Sequence, residues 1–256
     1  MNKEYPPCHH CLSTNVVQKG LILKSCTKQQ RYKCKDCKRT FVKDGQNWFV
    51  PDEKKVLIDK ALLERVSLRG IGRIFDVSLS WLLIYIKQKY GETPDDLGFD
   101  FHLEKRLFKG HVYIKLIDCQ ADELWSFVFN RKNVKYIWIA LHSESRQIIA
   151  LHVGDRSRAS AQKLWDKIPE TLKKTGFFHT DDWDSYKTVI PEERHEYSKK
   201  KKYTNYIERF NNTLRQRCSR LVRETLSFSK SLENHIAAIQ YFCYHYNLSL
   251  KEKEHN

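Results

Sequence analysis

Three acidic residues in distinctive local sequences most strongly constrain how this 256-residue chain can fold. They are Asp122 in the sequence DELW, Asp181 in TDDW and Glu208 in IERFN. Three carboxylates on separate elements can hold two Mg²⁺ (or Mn²⁺) ions over a phosphodiester, because Mg²⁺ prefers a few carboxylate oxygens together with water and substrate phosphate. If the three acids act together, the fold must bring positions 122, 181 and 208 to one place.

The sequence around the first two acids follows the element order of an RNase H-like core. Three stretches that alternate between polar and apolar residues predict antiparallel strands, and an amphipathic helix and a short buried strand follow them. In such a core the first and fourth strands are neighbours, so Asp122 in the first strand is predicted to meet Asp181 at the end of the fourth. The five stretches are residues 111–129, 134–141, 146–153, 158–174 and 176–180.

The third acid is predicted to lie on an amphipathic helix that begins near Asn205. At 100° per residue, Glu208 and Arg215 share a face that is about a quarter-turn away from the apolar stripe. Arg215 follows Glu208 by two turns and is therefore a candidate to hold a DNA phosphate beside the metal ions. The apolar stripe consists of Ile207, Phe210, Leu214, Cys218 and Leu221.

Each acid also has a simpler interpretation. Asp118 is a rival of Asp122 for the same role, and Asp181 could cap the N-terminus of a helix. Glu208 taken alone is most simply a solvated helix residue. The interpretation as a metal site depends on the occurrence of all three acids in this order with these flanking residues.

The net charge of +15 is spread unevenly and indicates a nucleic-acid partner. Residues 1–92 carry 18 Lys+Arg against 9 Asp+Glu, a net +9, and residues 93–256 carry 28 against 22, a net +6. A basic front segment is expected of a region that binds phosphates. The lysine run at residues 199–202 is either a solvated loop or a phosphate-binding patch, and we favour the patch. Its predicted DNA contacts are Lys200, Lys201 and Lys202.

Two Cys-x-x-Cys pairs near the N-terminus predict a structural zinc site. Four thiolates in a tetrahedral arrangement form a closed Zn²⁺ site, which supplies folding energy that so short a segment lacks. His9 or Cys26 could replace one of the thiols. Arg31 lies between the two pairs among other basic residues and is a predicted DNA contact. The pairs are Cys8 with Cys11 and Cys34 with Cys37, separated by 22 residues.

Residues 52–90 predict a helix-turn-helix. The small Gly72 permits close approach of two helices, and Ser78 can cap the second of them. Early residues of this recognition helix, Ser78 and Ser80 among them, are predicted to face base edges. The turn has Asp76 where such units usually have glycine, so a distorted turn is expected. A plain helical hairpin is the alternative.

The sequence gives no indication of a membrane or secretory protein. No stretch approaches the roughly 20 apolar residues of a membrane span, and the first residues lack the apolar core of a signal peptide. The cysteine pattern fits a reducing cytosol with a metal site. We therefore expect a cytoplasmic, nucleoid-associated protein with no membrane partner.

These motifs together resemble the transposases of the insertion-sequence-1 type, with an InsA-like front and an InsB-like back in one chain. The front carries the cysteine knuckles, QRYKCKDC and the predicted helix-turn-helix, and the back carries DELWSFV, TDDWDSY, IERFN with LRQ, and LSFSKS. The resemblance covers most of the chain. It implies a DDE transposase that uses Asp122, Asp181 and Glu208 on divalent metal. It also implies that the front modules bind the terminal inverted repeats in double-stranded DNA.

The predicted organisation is an α+β multidomain chain. It comprises a zinc ribbon (1–47), a helix-turn-helix (48–92), a linker (93–108) and an RNase H-like catalytic domain with C-terminal helices (109–256). The predicted function is metal-dependent DNA strand cleavage and strand transfer by a homo-oligomer, at least a dimer, because two DNA ends must be held together. Two alternatives stay open: a DNA-binding repressor with an inactive catalytic half, and a nuclease without joining activity.

Overall fold

The chain forms two compact units, Met1–Leu57 and Ile58–Asn256, in the computed structural model. The boundary falls within helix α1 (Asp52–Leu62). The predicted DNA contacts Lys200, Lys201 and Lys202 lie outside the described residues, as does Cys26. The structure describes residues 5–24, 27–43, 50–101, 105–108, 111–198, 203–221 and 228–254.

The N-terminal unit contains a three-stranded antiparallel sheet. Its strands are β1 (Val16–Lys24), β2 (Thr27–Cys34) and β3 (Thr40–Val42). The register of the β1–β2 hairpin shifts after Gln18, where Gly20 has φ +71°, a conformation that glycine adopts without steric cost. A small buried cluster that includes Tyr32 and Phe41 closes around two of the cysteines.

Two short helices follow α1 and surround a tight turn. Helix α2 (Leu68–Ile74) is followed by α3 (Leu79–Gly91), and Ser78 caps α3 by accepting a hydrogen bond from the N–H of Trp81 at 3.2 Å. The turn places Asp76 at φ 47°, in the left-handed region that aspartate occupies less readily than glycine. A Cβ at Gly72 would lie 3.1 Å from the backbone oxygen of Val77, so this close approach favours a glycine.

A five-stranded mixed sheet forms the centre of the second unit, with strand order β10-β9-β6-β7-β8. Strands β6, β7 and β8 are antiparallel, and β9 and β10 extend the sheet in parallel beside β6. The first and fourth predicted strands are therefore neighbours. The strands are β6 (Ile117–Phe127), β7 (Val134–His142), β8 (Ile148–Gly154), β9 (Gly176–Thr180) and β10 (His195–Tyr197).

Two predicted elements are divided in the structure. Residues 111–129 were predicted as one strand, but β5 (His111–Ile114) pairs with β4 (Lys105–Phe108) in a separate ribbon. The helix predicted over residues 158–174 is two helices, α4 (Arg158–Lys167) and α5 (Glu170–Thr175). Pro169 explains this break, because proline has no N–H to donate and disfavours a helical conformation in the residue before it.

Helices cover both faces of the sheet. Helices α7 (Asn205–Arg217) and α8 (Leu232–Glu254) cover one face, where the apolar stripe of α7 packs on Leu124 of β6. Helices α4, α5 and α6 (Asp184–Lys187) cover the other face, which includes Trp138 and Phe178. Helix α3 packs against α8, with the rings of Tyr90 and Tyr241 5.5 Å apart. None of the helices in the described part of the chain is long and apolar enough to cross a membrane.

Candidate active site

Strands β6 and β9 bring Asp122 and Asp181 to the same level of the sheet. The parallel register pairs Gln120 with His179, so Asp122, two residues further on, lies level with Asp181. The pairing with β9 ends at Gln120, and no strand among the described residues pairs with β6 beyond it on this side. Carboxylate oxygens of Asp122, Glu123 and Asp181 all lie within 4.8 Å of one another.

A cavity of about 620 Å³ contains all three predicted acids. Glu208 enters it from the first turns of α7, where it is half-buried and accepts a hydrogen bond from Thr204 Oγ1 at 3.2 Å. Glu208 shares the cavity but lies outside the tighter cluster of Asp122, Glu123 and Asp181. The structure thus brings Asp122, Asp181 and Glu208 into one cavity, as a shared site of the three acids requires.

The rival Asp118 lies elsewhere. Its side chain is exposed, and its Oδ1 faces His179 Nε2 at 3.6 Å. It is four residues before Asp122 on β6 and does not line the cavity. Asp118 is therefore not part of this carboxylate group.

Burial and repulsion from neighbouring negative charges raise the pKa values of Asp122, Glu123 and Asp181. Burial is the largest cause for Asp122, whose pKa is raised to about 7, and the charges of Glu123, Asp181 and Glu208 raise it further. Burial is also the largest cause of the raised pKa values of Glu123 and Asp181. Negative charge that is crowded and desolvated in this way is stabilised by a nearby cation.

Glu123 and Arg156 are two functional candidates that the sequence reading missed. The side chain of Glu123 is only 1% exposed, and its carboxylate accepts from Arg156 Nε at 2.7 Å and from the hydroxyl of Tyr186 at 3.1 Å. The Arg156 guanidinium also lies 3.8 Å from the ring centroid of Trp183. Successive residues of a strand face opposite sides of a sheet, so the sequence places Glu123 away from Asp122. In the structure its carboxylate nevertheless lies within 4.8 Å of those of Asp122 and Asp181.

Asn211 is a third residue with a role that was not predicted. It is buried on α7, and its Nδ2 donates to Asp122 Oδ2 at 2.8 Å. Its Oδ1 is buried and has no hydrogen-bond partner among the residues that the structure describes. The sequence could have indicated this residue, because Asn211 follows Glu208 by three positions and therefore lies on the same face of α7.

This donor set fits a divalent cation of the Mg²⁺ class. The cavity offers several carboxylate oxygens and the amide oxygen of Asn211, which are hard ligands, and it leaves volume for water and a phosphate. Arg215 also lines the cavity and donates from Nη2 to the backbone oxygen of Trp125 at 3.3 Å. A guanidinium beside the acids is suited to a DNA phosphate.

The four N-terminal cysteines form a second metal-ligating group. All four Sγ atoms lie within 4.8 Å of one another. Backbone N–H groups of Cys37 and Asp36 point at Cys34 and lower the pKa of its thiol to about 7, whereas burial and the other three thiols raise the pKa of Cys11 to about 12. Thiolates of a tetrahedral site with Zn–S bonds of about 2.3 Å lie about 3.8 Å apart, so this cluster fits Zn²⁺. The shortest Sγ–Sγ distances are 3.6 Å, for Cys8 with Cys37 and Cys11 with Cys34.

The remaining predicted DNA contacts lie on α3 and β2. The hydroxyl of Ser78 is engaged as the cap of α3, and Ser80 is exposed on the same helix. Arg31 is half-buried in β2, and its Nε donates to the backbone oxygen of Lys19 at 3.3 Å. Their contacts with DNA stay predictions.

A family model and several relatives each match about half of this chain. A family described as IS1 transposase matches residues 115–247. The iso-IS1n protein InsB of Shigella dysenteriae is 35% identical over 124 residues, which cover 48% of this chain and 92% of that protein. The IS1 protein InsB of Shigella flexneri is 31% identical over 127 residues, which cover 50% and 94%. A solved Mos1 transposase paired-end complex with the left transposon end has a TM-score of 0.32 and 11% identity, covering 83% of this chain and 80% of that one.

Proposed function

The chain belongs to the IS1 transposase family, and from this we propose that it is a DDE transposase that cleaves and joins DNA at the ends of its element. The observation that carries this proposal is the convergence of Asp122, Asp181 and Glu208 in one cavity. All three acids lie within the matched residues 115–247. The sheet order, with three antiparallel strands and two parallel ones, supports assignment of the second unit to the RNase H-like folds.

The chemistry proposed for this cavity is in-line phosphoryl transfer in two steps. Water first attacks a phosphodiester at the element end, which leaves a 3′ hydroxyl and a 5′ phosphate. The 3′ hydroxyl then attacks a phosphodiester of the target DNA, forms a new bond to its phosphorus and displaces the 3′ oxygen of the target strand, which leaves as a hydroxyl. Asp122, Asp181 and Glu208 would hold divalent cations there. When bound, Mg²⁺ (or Mn²⁺) supplies Lewis-acid stabilisation of the phosphoryl oxygens and lowers the pKa of the attacking water or hydroxyl.

The protein's own side chains would position the reactants and balance their charge. Asn211 fixes the orientation of the Asp122 carboxylate through its hydrogen bond. Arg215 offers a guanidinium to a DNA phosphate on the same wall of the cavity. The Glu123–Arg156 pair keeps one carboxylate of the cluster compensated, so that Asp122 and Asp181 are left for the cations. Positioning of this kind accounts for much of the catalysis of phosphoryl transfer.

The front of the chain is proposed to recognise the element ends. A Zn²⁺-stabilised ribbon and the helices α2 and α3 as a helix-turn-helix would bind terminal inverted repeats in double-stranded DNA. The net charge of +9 over residues 1–92 supports a role in phosphate binding. Synapsis of two ends requires a homo-oligomer of at least two copies, and such an enzyme would act on cytoplasmic, nucleoid-associated DNA.

A cleavage assay on end DNA tests the proposal. Purified protein, a DNA fragment with both element ends and a target plasmid should give nicked ends and joined products with Mg²⁺, and neither product with EDTA. Asp181→Asn should bind the ends normally but cleave at least about 100-fold more slowly, because a metal ligand is lost. Asp118→Asn is the matched control, since Asp118 lies outside the cavity, and it should cleave at the wild-type rate.

The same assay separates the alternatives. A repressor with an inactive catalytic half would bind the ends without Mg²⁺-dependent cleavage. A nuclease without joining activity would give nicked ends and no joined target. Either result from the wild-type protein would overturn the proposed transposase activity.

A further inference from the structure

Gln120, two residues before Asp122, joins strand β6 to the helix that carries Glu208. Its Oε1 accepts hydrogen bonds from the N–H groups of Tyr206 at 3.0 Å and Ile207 at 2.9 Å. Both groups lie in the first turn of α7, where backbone N–H groups have no partner within the helix. Gln120 is only 3% exposed, so water does not compete for these bonds.

The residue that would normally cap this helix is used differently. Thr204 occupies the N-cap position, and its side chain makes no capping hydrogen bond within the described chain. A threonine at this position usually accepts from the N–H groups of the first turn. Here the hydroxyl of Thr204 instead donates to Glu208 Oε1 at 3.2 Å. Capping of α7 therefore falls to a side chain of the sheet.

Two further bonds attach the same helix to the same strand. Asn211 donates to Asp122, and Arg215 donates to the backbone oxygen of Trp125. Gln120 and Asp122 share a face of β6, because alternate residues of a strand point the same way. The three attachments thus occur in order along both elements. The one at Gln120 immediately precedes Glu208, the acid that the sheet itself does not carry.

We propose that Gln120 is a positioning residue of the active site. Its side-chain carbonyl fixes the first turn of α7 against β6, and this sets the location of the Glu208 carboxylate relative to Asp122. The inference rests on the proposed metal-dependent function of these acids. Replacement of a residue that orients a metal ligand without contacting the metal typically lowers metal affinity or activity by about 10- to 100-fold.

Two substitutions at position 120 separate positioning from bulk packing. Gln120→Met keeps the length of the side chain and removes the acceptor, whereas Gln120→Glu keeps an acceptor at the same reach. Asn247→Ala is the matched control for stability. It removes a buried amide that bonds Ile148 and Leu97, on an element other than α7. For each variant we would measure Mn²⁺ affinity by calorimetry, Mg²⁺-dependent cleavage of end DNA, and the midpoint of thermal unfolding.

Gln120→Met should lower both Mn²⁺ affinity and cleavage by about 10- to 100-fold, and Gln120→Glu should restore both to within about 3-fold of wild type. Asn247→Ala should unfold at a lower temperature while it keeps wild-type Mn²⁺ affinity. Should Gln120→Met fail to fold, Gln120→Asn, whose amide is one methylene too short to reach, takes its place with the same expected loss.

The inference is overturned if a folded Gln120→Met protein binds Mn²⁺ and cleaves DNA like wild type, or if Gln120→Glu is as impaired as Gln120→Met. Those outcomes leave the proposed function intact, since wild-type cleavage is measured in the same assay. A wild-type protein that binds no Mn²⁺ at the acids and cleaves no end DNA overturns both.

Discussion

Among single residues, the ion pair of Glu123 and Arg156 is expected to contribute measurably to the free energy of unfolding. Arg156→Ala is expected to lower the free energy of unfolding by about 2 kcal/mol, because it leaves a carboxylate with 1% exposure without its cation. The 38% exposure of Arg156 keeps this cost below that of a fully buried pair. Urea unfolding of the metal-free protein measures it, and adding Glu123→Gln should recover part of the loss.

A surface ion pair gives the matched comparison. Lys115 and Glu144 lie 2.9 Å apart, but their side chains are 49% and 70% exposed. Lys115→Ala should therefore cost less than about 0.5 kcal/mol. Equal losses in the two variants would mean that burial of Glu123 does not govern the strength of its ion pair.

The sequence identifies some residues of the site and hides others for physical reasons. The proximity of Asp122 and Asp181 can be predicted from the sequence, because the order of strands in the sheet determines which strand ends are adjacent. The proximity of Glu123 to them cannot, because strand alternation assigns it to the opposite face of the sheet, although its carboxylate lies in the cluster with those of Asp122 and Asp181. Arg156 and Gln120 act through contacts with residues 33 and more than 80 positions away, which no local pattern encodes.

At the scale of elements, a buried histidine joins β6 to α8. His235 is fully buried between the hydroxyls of Ser126 and Ser229, each at 3.1 Å from a ring nitrogen. Burial is the largest cause that lowers the pKa of His235 from 6.5 to about 4. The folded protein therefore holds a neutral imidazole at pH values where the unfolded chain carries a charged one.

This difference predicts how stability depends on pH. The contribution of His235 to the free energy of unfolding should be fully present above about pH 7. It should be lost as the pH falls from about 6.5 to about 4, because the unfolded state binds the proton first. The total change for this residue is about 3 kcal/mol. Urea unfolding at several pH values gives the free energy of unfolding as a function of pH. Between about pH 4 and 6.5 this free energy should change less steeply with pH in His235→Gln than in wild type, whereas the exposed control His111→Gln should match wild type. An unchanged slope in His235→Gln contradicts the assignment.

Elements were easier to predict than their boundaries. Periodicity identified the core strands, the Glu208 helix and their order, because the sheet buries alternate residues and the helix buries one face. The break between α4 and α5 is encoded in the sequence by Pro169. The strand break between β5 and β6 has no proline or glycine at residues 115–116, and it results from pairing with β4.

At the scale of the whole molecule, the two compact units should respond separately to loss of zinc. Removal of Zn²⁺ by a chelator, or Cys34→Ser, should unfold the N-terminal unit, because a closed thiolate site supplies much of its folding energy. Specific binding to element ends should fall by at least about 10-fold in gel-shift assays, while the second unit keeps its cooperative unfolding transition. Metal analysis should find one zinc per chain.

Cys26→Ser is the control for this prediction, because Cys26 lies outside the two Cys-x-x-Cys pairs. It should retain one zinc and bind the element ends like wild type. A Cys34→Ser protein that keeps its zinc and its end binding would show that the clustered cysteines are not the zinc ligands.

The most direct test of the account is the location of Mn²⁺ by anomalous diffraction in crystals of the chain with end DNA. We predict two ions about 3.5–4 Å apart, with oxygens of Asp122 and Asp181 at about 2.0–2.2 Å and Glu208 on one of the ions. Both peaks should weaken in Asp122→Asn and persist in Asp118→Asn. Ions bound away from these carboxylates, or a Glu208 side chain that points out of the cavity in the DNA-bound protein, would contradict it.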